Sequence, residues 1–160
     1  MLALVAIPER CTGCRRCELA CSFAHYKVMN PAKSAIHVIR DPHAPIDAPI
    51  FCTQCGLCID SCPQKALYRD EKIGAVLVNF EKCDGCGLCV VACPYGAIMI
   101  DKRTKKVIKC DLCKGEPACV KACPEGALLY VDVNVASYYK RQQYAVLHRV
   151  ELRPMIPYPR

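Results

Sequence analysis

Sixteen cysteines in a chain of 160 residues stand as four groups of four, with none left over. The groups are Cys11, Cys14, Cys17 and Cys21; Cys52, Cys55, Cys58 and Cys62; Cys83, Cys86, Cys89 and Cys93; and Cys110, Cys113, Cys119 and Cys123. In the first three, a thiol recurs every third residue and the last follows after three more. A proline follows the final cysteine of three groups, at Pro63, Pro94 and Pro124. The chain has no Trp and only three Phe, so it lacks the aromatic stock of a large apolar core. Small domains with thin cores need staples.

The spacing C-x2-C-x2-C-x3-C is that of iron–sulfur ligation. A loop of period three wraps three corners of one cube. The fourth cysteine is expected to begin a short helix and to serve another cluster. Gly13, Gly56, Gly85 and Gly87 allow the positive φ that turns backbone N–H groups toward sulfur. Sixteen thiolates make four [4Fe–4S] clusters, with all sixteen cysteines as iron ligands, and the apo chain is expected to be largely unfolded.

Other uses of cysteine fit less well. Zinc takes two pairs in a tetrahedron, which leaves no place for a third cysteine at the same short spacing. A disulfide scaffold belongs to secreted chains, and the segment from Met1 to Pro8 has neither a basic region nor a long apolar run. The expected setting is therefore cytoplasmic and reducing. No stretch approaches the length of an apolar membrane span, so no direct membrane insertion is expected. No unpaired thiol, phosphate loop, dinucleotide fingerprint or Ser-His-Asp pattern appears, so no catalytic residue is assigned and the chain is not expected to be an enzyme by itself. His25, His37, His43 and His148 follow no ligand spacing and read as surface or packing residues.

The formal charge of +7 counts every thiol as neutral. Each oxidised cluster with four thiolates carries about −2, which brings the holo-protein to about −1. The excess Lys and Arg is then a counter-charge to clusters. No basic stripe with interleaved stacking aromatics appears, so no nucleic acid is expected as a partner.

The groups behave as a repeat. After the three prolines come Gln64-Lys65-Ala66-Leu67, Tyr95-Gly96-Ala97-Ile98 and Glu125-Gly126-Ala127-Leu128. Each leads into a short β-rich stretch. Ala66–Tyr68 is expected to pair with Ala75–Asn79, and Ile98–Ile100 with Val107–Lys109. Leu128–Val131 is expected to pair with Leu2–Ile7 or Ile36–Ile39. The proline suits the start of a short helix. Residues 22–51 read as a surface loop around one strand, and Asn134 as the cap of a helix from about Val135 to Leu147. The prolines at 154, 157 and 159 keep the last residues extended.

Groups two and three are regular, whereas Ser22 replaces the proline of group one and group four has a longer middle gap. Pairing regular with regular and irregular with irregular nests one module inside another. The expected fold is α+β: two nested bacterial-ferredoxin-like modules with short strands and helices, plus a cysteine-free tail. Residues 1–50 and 100–132 form the outer module, 51–99 the inner one, and 133–160 the C-terminal helix and extended tail.

Across residues 5–131, the four groups resemble the polyferredoxin electron-transfer subunits of multisubunit oxidoreductases. The last group carries the resemblance most clearly: Cys110-x2-Cys113-x-Gly115-x-Pro117-x-Cys119-Val120-x2-Cys123-Pro124. The resemblance implies four ligand sets. They are Cys11, Cys14, Cys17 with Cys123; Cys21 with Cys110, Cys113, Cys119; Cys52, Cys55, Cys58 with Cys93; and Cys62 with Cys83, Cys86, Cys89. The phrases Cys14-Arg15-Arg16-Cys17-Glu18-Leu19-Ala20-Cys21-Ser22 and Lys109-Cys110-Asp111-Leu112-Cys113-Lys114-Gly115-Glu116-Pro117 are most similar to the small iron–sulfur subunits of tungsten-dependent aldehyde oxidoreductases and related benzoyl-CoA reductases. That implies a large catalytic oxidoreductase subunit as partner, favoured as a tungstopterin enzyme in an anaerobic setting, with a flavin or ferredoxin as the further electron partner. The alternatives are a hydrogenase or carbon monoxide dehydrogenase system, or an independent soluble polyferredoxin. In the tail, Val133, Val135, Tyr138, Tyr139, Tyr144, Val146, Leu147 and Val150 either pack on the chain's own core or clasp a partner.

Overall fold

The computed structural model describes residues 1–40 and 47–152, with side chains as far as residue 145. Among the described residues, the strands form four two-stranded antiparallel ribbons. Strand β1 (Leu2–Ala6) pairs with the last strand, Leu128–Asp132, so the two ends of the cysteine-bearing region meet. Of the two partners expected for that last strand, the N-terminal one is the right one. Strands β2 (Ile36–Arg40) and β3 (Asp47–Phe51) pair with each other, which corrects the expectation of a single strand between the first two cysteine groups. Pro49 sits in β3 opposite Val38. In a two-stranded ribbon every strand is an edge, where a missing N–H is tolerated.

The two inner ribbons are built alike and fall where the repeat places them. Strand β4 (Leu67–Arg69) pairs with β5 (Val76–Val78), and β6 (Ile98–Ile100) with β7 (Val107–Lys109). Their turns use one device. Asp70 Oδ1 accepts from the N–H groups of Lys72 and Ile73, and Asp101 Oδ1 from those of Arg103 and Thr104. An aspartate that bonds the backbone two residues on closes such a turn locally. The remaining strand, Leu128–Asp132, is β8.

The helices depart from expectation in an informative way. Helices α2 (Leu57–Asp60), α3 (Leu88–Val91) and α4 (Ala118–Lys121) are single turns that carry the third cysteine of their groups and end before the fourth. The prolines therefore follow a helix rather than start one. A residue before proline is pushed out of the α region, so Cys62, Cys93 and Cys123 are stopping points. Where Ser22 replaces the proline, helix α1 (Arg16–Tyr26) runs on through both Cys17 and Cys21. Ser22 is fully buried, donates to Leu19 O and accepts from Asn30 N–H.

Two apolar cores contain cysteines among their buried members. One gathers Leu4, Ile36, Val38, Ile108, Leu112 and Leu128 around Cys17, Cys21 and Cys119. The other gathers Leu67, Val76, Ile98 and Val107 around Cys58 and Cys89. Alternation along a strand assigns neighbours to opposite faces. Val107 accordingly enters one core and Ile108 the other, so β7 is a wall between them.

Helix α5 (Val133–Leu152) continues directly from β8. Asp132 Oδ1 accepts from Asn134 N–H at 2.9 Å, so Asp132 caps the helix and Asn134 lies inside it. The expected apolar tail divides. Ala136 is buried and Gln143 Nε2 donates to Ala6 O, whereas Val135 and Tyr138 face outward. The residues from 153 on, His43, and the side chains of Val146, Leu147, His148 and Val150 lie outside the described set. A charge at Ala136 would be forced from its buried place. Ala136→Glu should weaken docking of α5 by about 2 kcal/mol, seen as faster amide exchange in α5 with unchanged exchange in β4–β7 and unchanged iron content. Loss of iron from this variant would show that α5 is part of the cysteine framework.

Candidate iron–sulfur sites

Each cysteine loop has left-handed residues at the same two places, and in the fourth Cys113 (φ +48°) and Gly115 (+97°) are left-handed as well. The first lies just before the second cysteine: Gly13 (φ +67°), Gln54 (+60°), Gly85 (+74°) and Leu112 (+57°). The other comes at or next to the residue after it: Arg15 (+57°), Gly56 (+99°), Gly87 (+86°) and Lys114 (+57°). In the first three loops right- and left-handed residues alternate, which makes a concave row of N–H donors suited to anions and iron–sulfur groups. Only half of these residues are glycine. The others hold a strained conformation that costs about 1–2 kcal/mol each because neighbours fix them. Leu112 is buried in the core, and Gln54 is held by hydrogen bonds.

The fourth cysteines share a second device. The N–H of the residue four positions on points at the sulfur: Ala66 to Cys62 Sγ at 3.3 Å, Ala97 to Cys93 Sγ at 3.4 Å, and Ala127 to Cys123 Sγ at 3.3 Å. The residue just before each alanine is left-handed: Lys65 (+48°), Gly96 (+60°) and Gly126 (+58°). The repeated Cys-Pro-x-x-Ala phrase thus encodes a sulfur-capping turn. Cys21 sits in a continuing helix and has no such turn; Ala35 N–H reaches its Sγ from fourteen residues away, at 3.4 Å.

None of the sixteen cysteines is joined in a disulfide. One cavity is lined by Cys11, Cys14, Cys17 and Cys123. A second is lined by Cys52, Cys55, Cys58 and Cys93, and a third by Cys62, Cys83, Cys86 and Cys89. The remaining four also meet. Burial pushes the Cys119 thiol well up, and the negative charges of Cys110, Cys21 and Cys113 push it further. Each fourth cysteine therefore faces the other three of a different group. Burial likewise pushes Cys17 and Cys110 up to about 12. Four such thiols deprotonate together only around a cationic core, and four sulfurs with N–H donors aimed at them are a donor set that fits [4Fe–4S].

The quartets lie in a row. Helix α1 packs on α4, and Cys119 senses Cys17 as well as its own quartet. Cys110 senses Cys52 across the boundary between the two cores. Helix α2 packs on α3, and Cys89 senses Cys58.

Three polar residues escape a reading based on cysteine spacing. His25 is not an ordinary surface residue: its Nδ1 meets Cys21 O at 2.9 Å and its Nε2 meets Asp111 Oδ1 at 2.9 Å. The Asp111 bond, then bonds to Cys113 and Cys21, hold its imidazolium far above the usual histidine range. Asp111 also accepts from Cys113 N–H at 2.8 Å, the same turn that Asp84 makes with Cys86 at 3.0 Å. Lys109 is buried, with its ammonium on Val76 O, Cys110 O and Gln54 Oε1. The repeat phrase Cys-Asp-x-Cys signals the aspartates; nothing local signals His25. His37 lies in β2 opposite Ile50.

A family model described as a 4Fe–4S dicluster domain matches residues 46–133, and a second of the same description matches residues 10–67. The chain belongs to the 4Fe–4S dicluster family. Among relatives, it is 42% identical over 111 residues to the aliphatic sulfonate oxidoreductase polyferredoxin-like subunit of Pyrococcus furiosus, covering 68% of this chain and 64% of that one. It is 37% identical over 89 residues to electron transport protein HydN of Escherichia coli K12, spanning 49% of HydN. It is 37% identical over 120 residues to the putative electron transport protein YsaA of the same strain, spanning 74% of that protein. A chain of the active site complex BamBC of benzoyl coenzyme A reductase, solved with benzoyl-CoA, aligns with TM-score 0.50 and 29% identity over 82% of this chain and 78% of its own.

Two substitutions test the dicluster loops. A Cβ at Gly85 would stand 2.5 Å from Lys105 O, at a φ of +74°. Gly85→Ala should destabilise that loop by about 1–3 kcal/mol, read as loss of the iron held beside Cys83, Cys86 and Cys89. Conversely, Lys65 occupies the place that Gly96 and Gly126 hold in the other turns. Lys65→Gly should raise thermal stability by about 0.5–1 kcal/mol, the relief of left-handed strain less the entropy of glycine. A lower melting temperature would refute this reading of the turn.

Proposed function

We propose that the chain is an electron-transfer subunit that carries four [4Fe–4S] clusters and relays single electrons to or from a large catalytic oxidoreductase subunit. The observation that carries this reading is the convergence of each fourth cysteine on a triplet from another group. The ligand sets are then Cys11, Cys14, Cys17, Cys123; Cys21, Cys110, Cys113, Cys119; Cys52, Cys55, Cys58, Cys93; and Cys62, Cys83, Cys86, Cys89. Residues 51–99 form an inner ferredoxin-like module nested in an outer one from 1–50 and 100–132. The β1–β8 ribbon that joins the two ends supports this division.

When bound, each cluster supplies a one-electron redox step. The chain's residues hold the sites in line, shield the sulfurs with N–H donors and keep each site at a fixed place beside its neighbour. The second cysteines Cys14, Cys55 and Cys86 are exposed, so they mark where three sites come nearest the surface. Around the inner pair, Leu57, Leu88, Val91 and Tyr95 are exposed too, Val91 by 86%. An apolar rim at the end of a row of redox sites suits a protein partner. Among the described residues no helix is long and apolar enough to cross a membrane.

A tungstopterin enzyme is the favoured partner, on the phrases around Cys14–Ser22 and Lys109–Pro117 and on the likeness to a BamBC chain. A flavin or ferredoxin would stand at the other end of the row, and the setting would be cytoplasmic and anaerobic. The same phrases keep a role beside a hydrogenase or carbon monoxide dehydrogenase as the second reading. Anaerobic native purification tests both. About sixteen iron and sixteen sulfide per chain are expected, four of each per cluster, with tungsten in stoichiometric amount under the first reading and nickel under the second. A folded chain with eight irons would overturn the four-cluster assignment. Truncation after Asp132 removes no cysteine and should leave the iron intact; retention of the partner by the truncated chain would show that α5 is not the clasp.

A further inference from the structure

Lys109 is 9% exposed at the end of β7. It follows Val107 by two residues, so its side chain lies on the face that looks into the inner core. Its ammonium has three protons and three acceptors: Val76 O at 2.7 Å, Cys110 O at 2.9 Å and Gln54 Oε1 at 3.0 Å. None of these acceptors carries a charge, and among the described residues no carboxylate lies within ion-pair distance of it. A buried ammonium is stable only beside negative charge. The negative charge available here is sulfur. Lys109 lines the cavity of Cys52, Cys55, Cys58 and Cys93.

Gln54 fixes this ammonium in place. Its Oε1 accepts from Lys109 and from Val76 N–H at 2.9 Å, and its Nε2 donates to Cys110 O at 3.1 Å. Arg69 Nη2 donates to Gln54 O at 2.9 Å. The strained left-handed backbone of Gln54, where two other loops have glycine, is explained by this bridge: glycine there would leave Val76 N–H without its acceptor and Lys109 with two of its three. The bridge stands where the two cores and their quartets adjoin.

We infer that Lys109, positioned by Gln54, is the residue that sets the potential at the middle of the row, by raising the reduction potential of the site formed by Cys52, Cys55, Cys58 and Cys93. The inference rests on the four-cluster reading. Each transfer reduces one site by one electron and oxidises its neighbour by one, and the added negative charge is stabilised by a fixed ammonium in a medium of low dielectric. Removing the ammonium makes that site harder to reduce and leaves the two end sites little changed.

The test is a redox titration of the iron-loaded chain followed by electron paramagnetic resonance, on Lys109→Met, Lys109→Gln and Lys109→Arg, with exposed Lys106→Met as the control. Both neutral variants should lose at least tenfold in the reduced-to-oxidised ratio of one site at fixed potential, a downward shift of about 59 mV for one electron. The arginine variant and the Lys106 control should titrate like the parent. Iron and sulfide analysis separates the two readings. A parent chain without sixteen irons overturns the four-cluster assignment itself. Neutral variants that keep their iron and their potentials overturn only the role of Lys109. Loss of iron from both neutral variants would also overturn it, leaving Lys109 as a structural strut.

Discussion

Sulfur in a small buried cavity is anionic only beside compensating charge, and every level of this fold answers to that requirement. Backbone N–H groups supply part of that compensation. Left-handed residues turn the loops so that donors line the concave side, and the Cys-Pro-x-x-Ala turn aims one more donor at each of three sulfurs. The apolar cores are modest because they surround the cysteines rather than replace them. Strain in the loops persists because the surrounding packing over-determines it.

The same requirement explains the order of the chain. A group that spends three cysteines on one site and sends the fourth elsewhere cannot be completed by its own loop. Pairing must come from another group, so the loops fold in twos: α1 against α4, and α2 against α3. The β1–β8 ribbon then joins the two ends of the cysteine-bearing region. Single-turn helices are short because a proline stops them; where serine stands instead, the helix runs on and a distant N–H, that of Ala35, takes over the capping of sulfur. One substitution in a repeat thereby changes the local structure and keeps the chemistry.

Charged side chains complete the arrangement where the backbone cannot. His25 and Asp111 stand beside Cys21 and Cys113, and Lys109 stands where the two cores adjoin. Each is placed by a partner far away in sequence. These contacts are part of the geometry of this chain.

Much was legible in the residues alone. Cysteine spacing announced the sites, and the repeated phrase after each proline placed β4–β7, because short-range periodicity and turn chemistry act within a few residues. Local sequence could not tell whether a proline starts a helix or ends one, since both are compatible with its fixed φ and missing N–H. It left open whether β8 pairs with β1 or β2, and it missed β3, whose proline argues against a strand. It also read His25 as ordinary and passed over Lys109 and Gln54. The cysteine spacing and the capping of the Cys62, Cys93 and Cys123 sulfurs are decided by residues within about five positions of each other, and the sequence by itself determined them. Which quartets adjoin, which strand closes the fold and where a buried charge comes to rest depend on packing between segments tens of residues apart, and only the tertiary structure decided those.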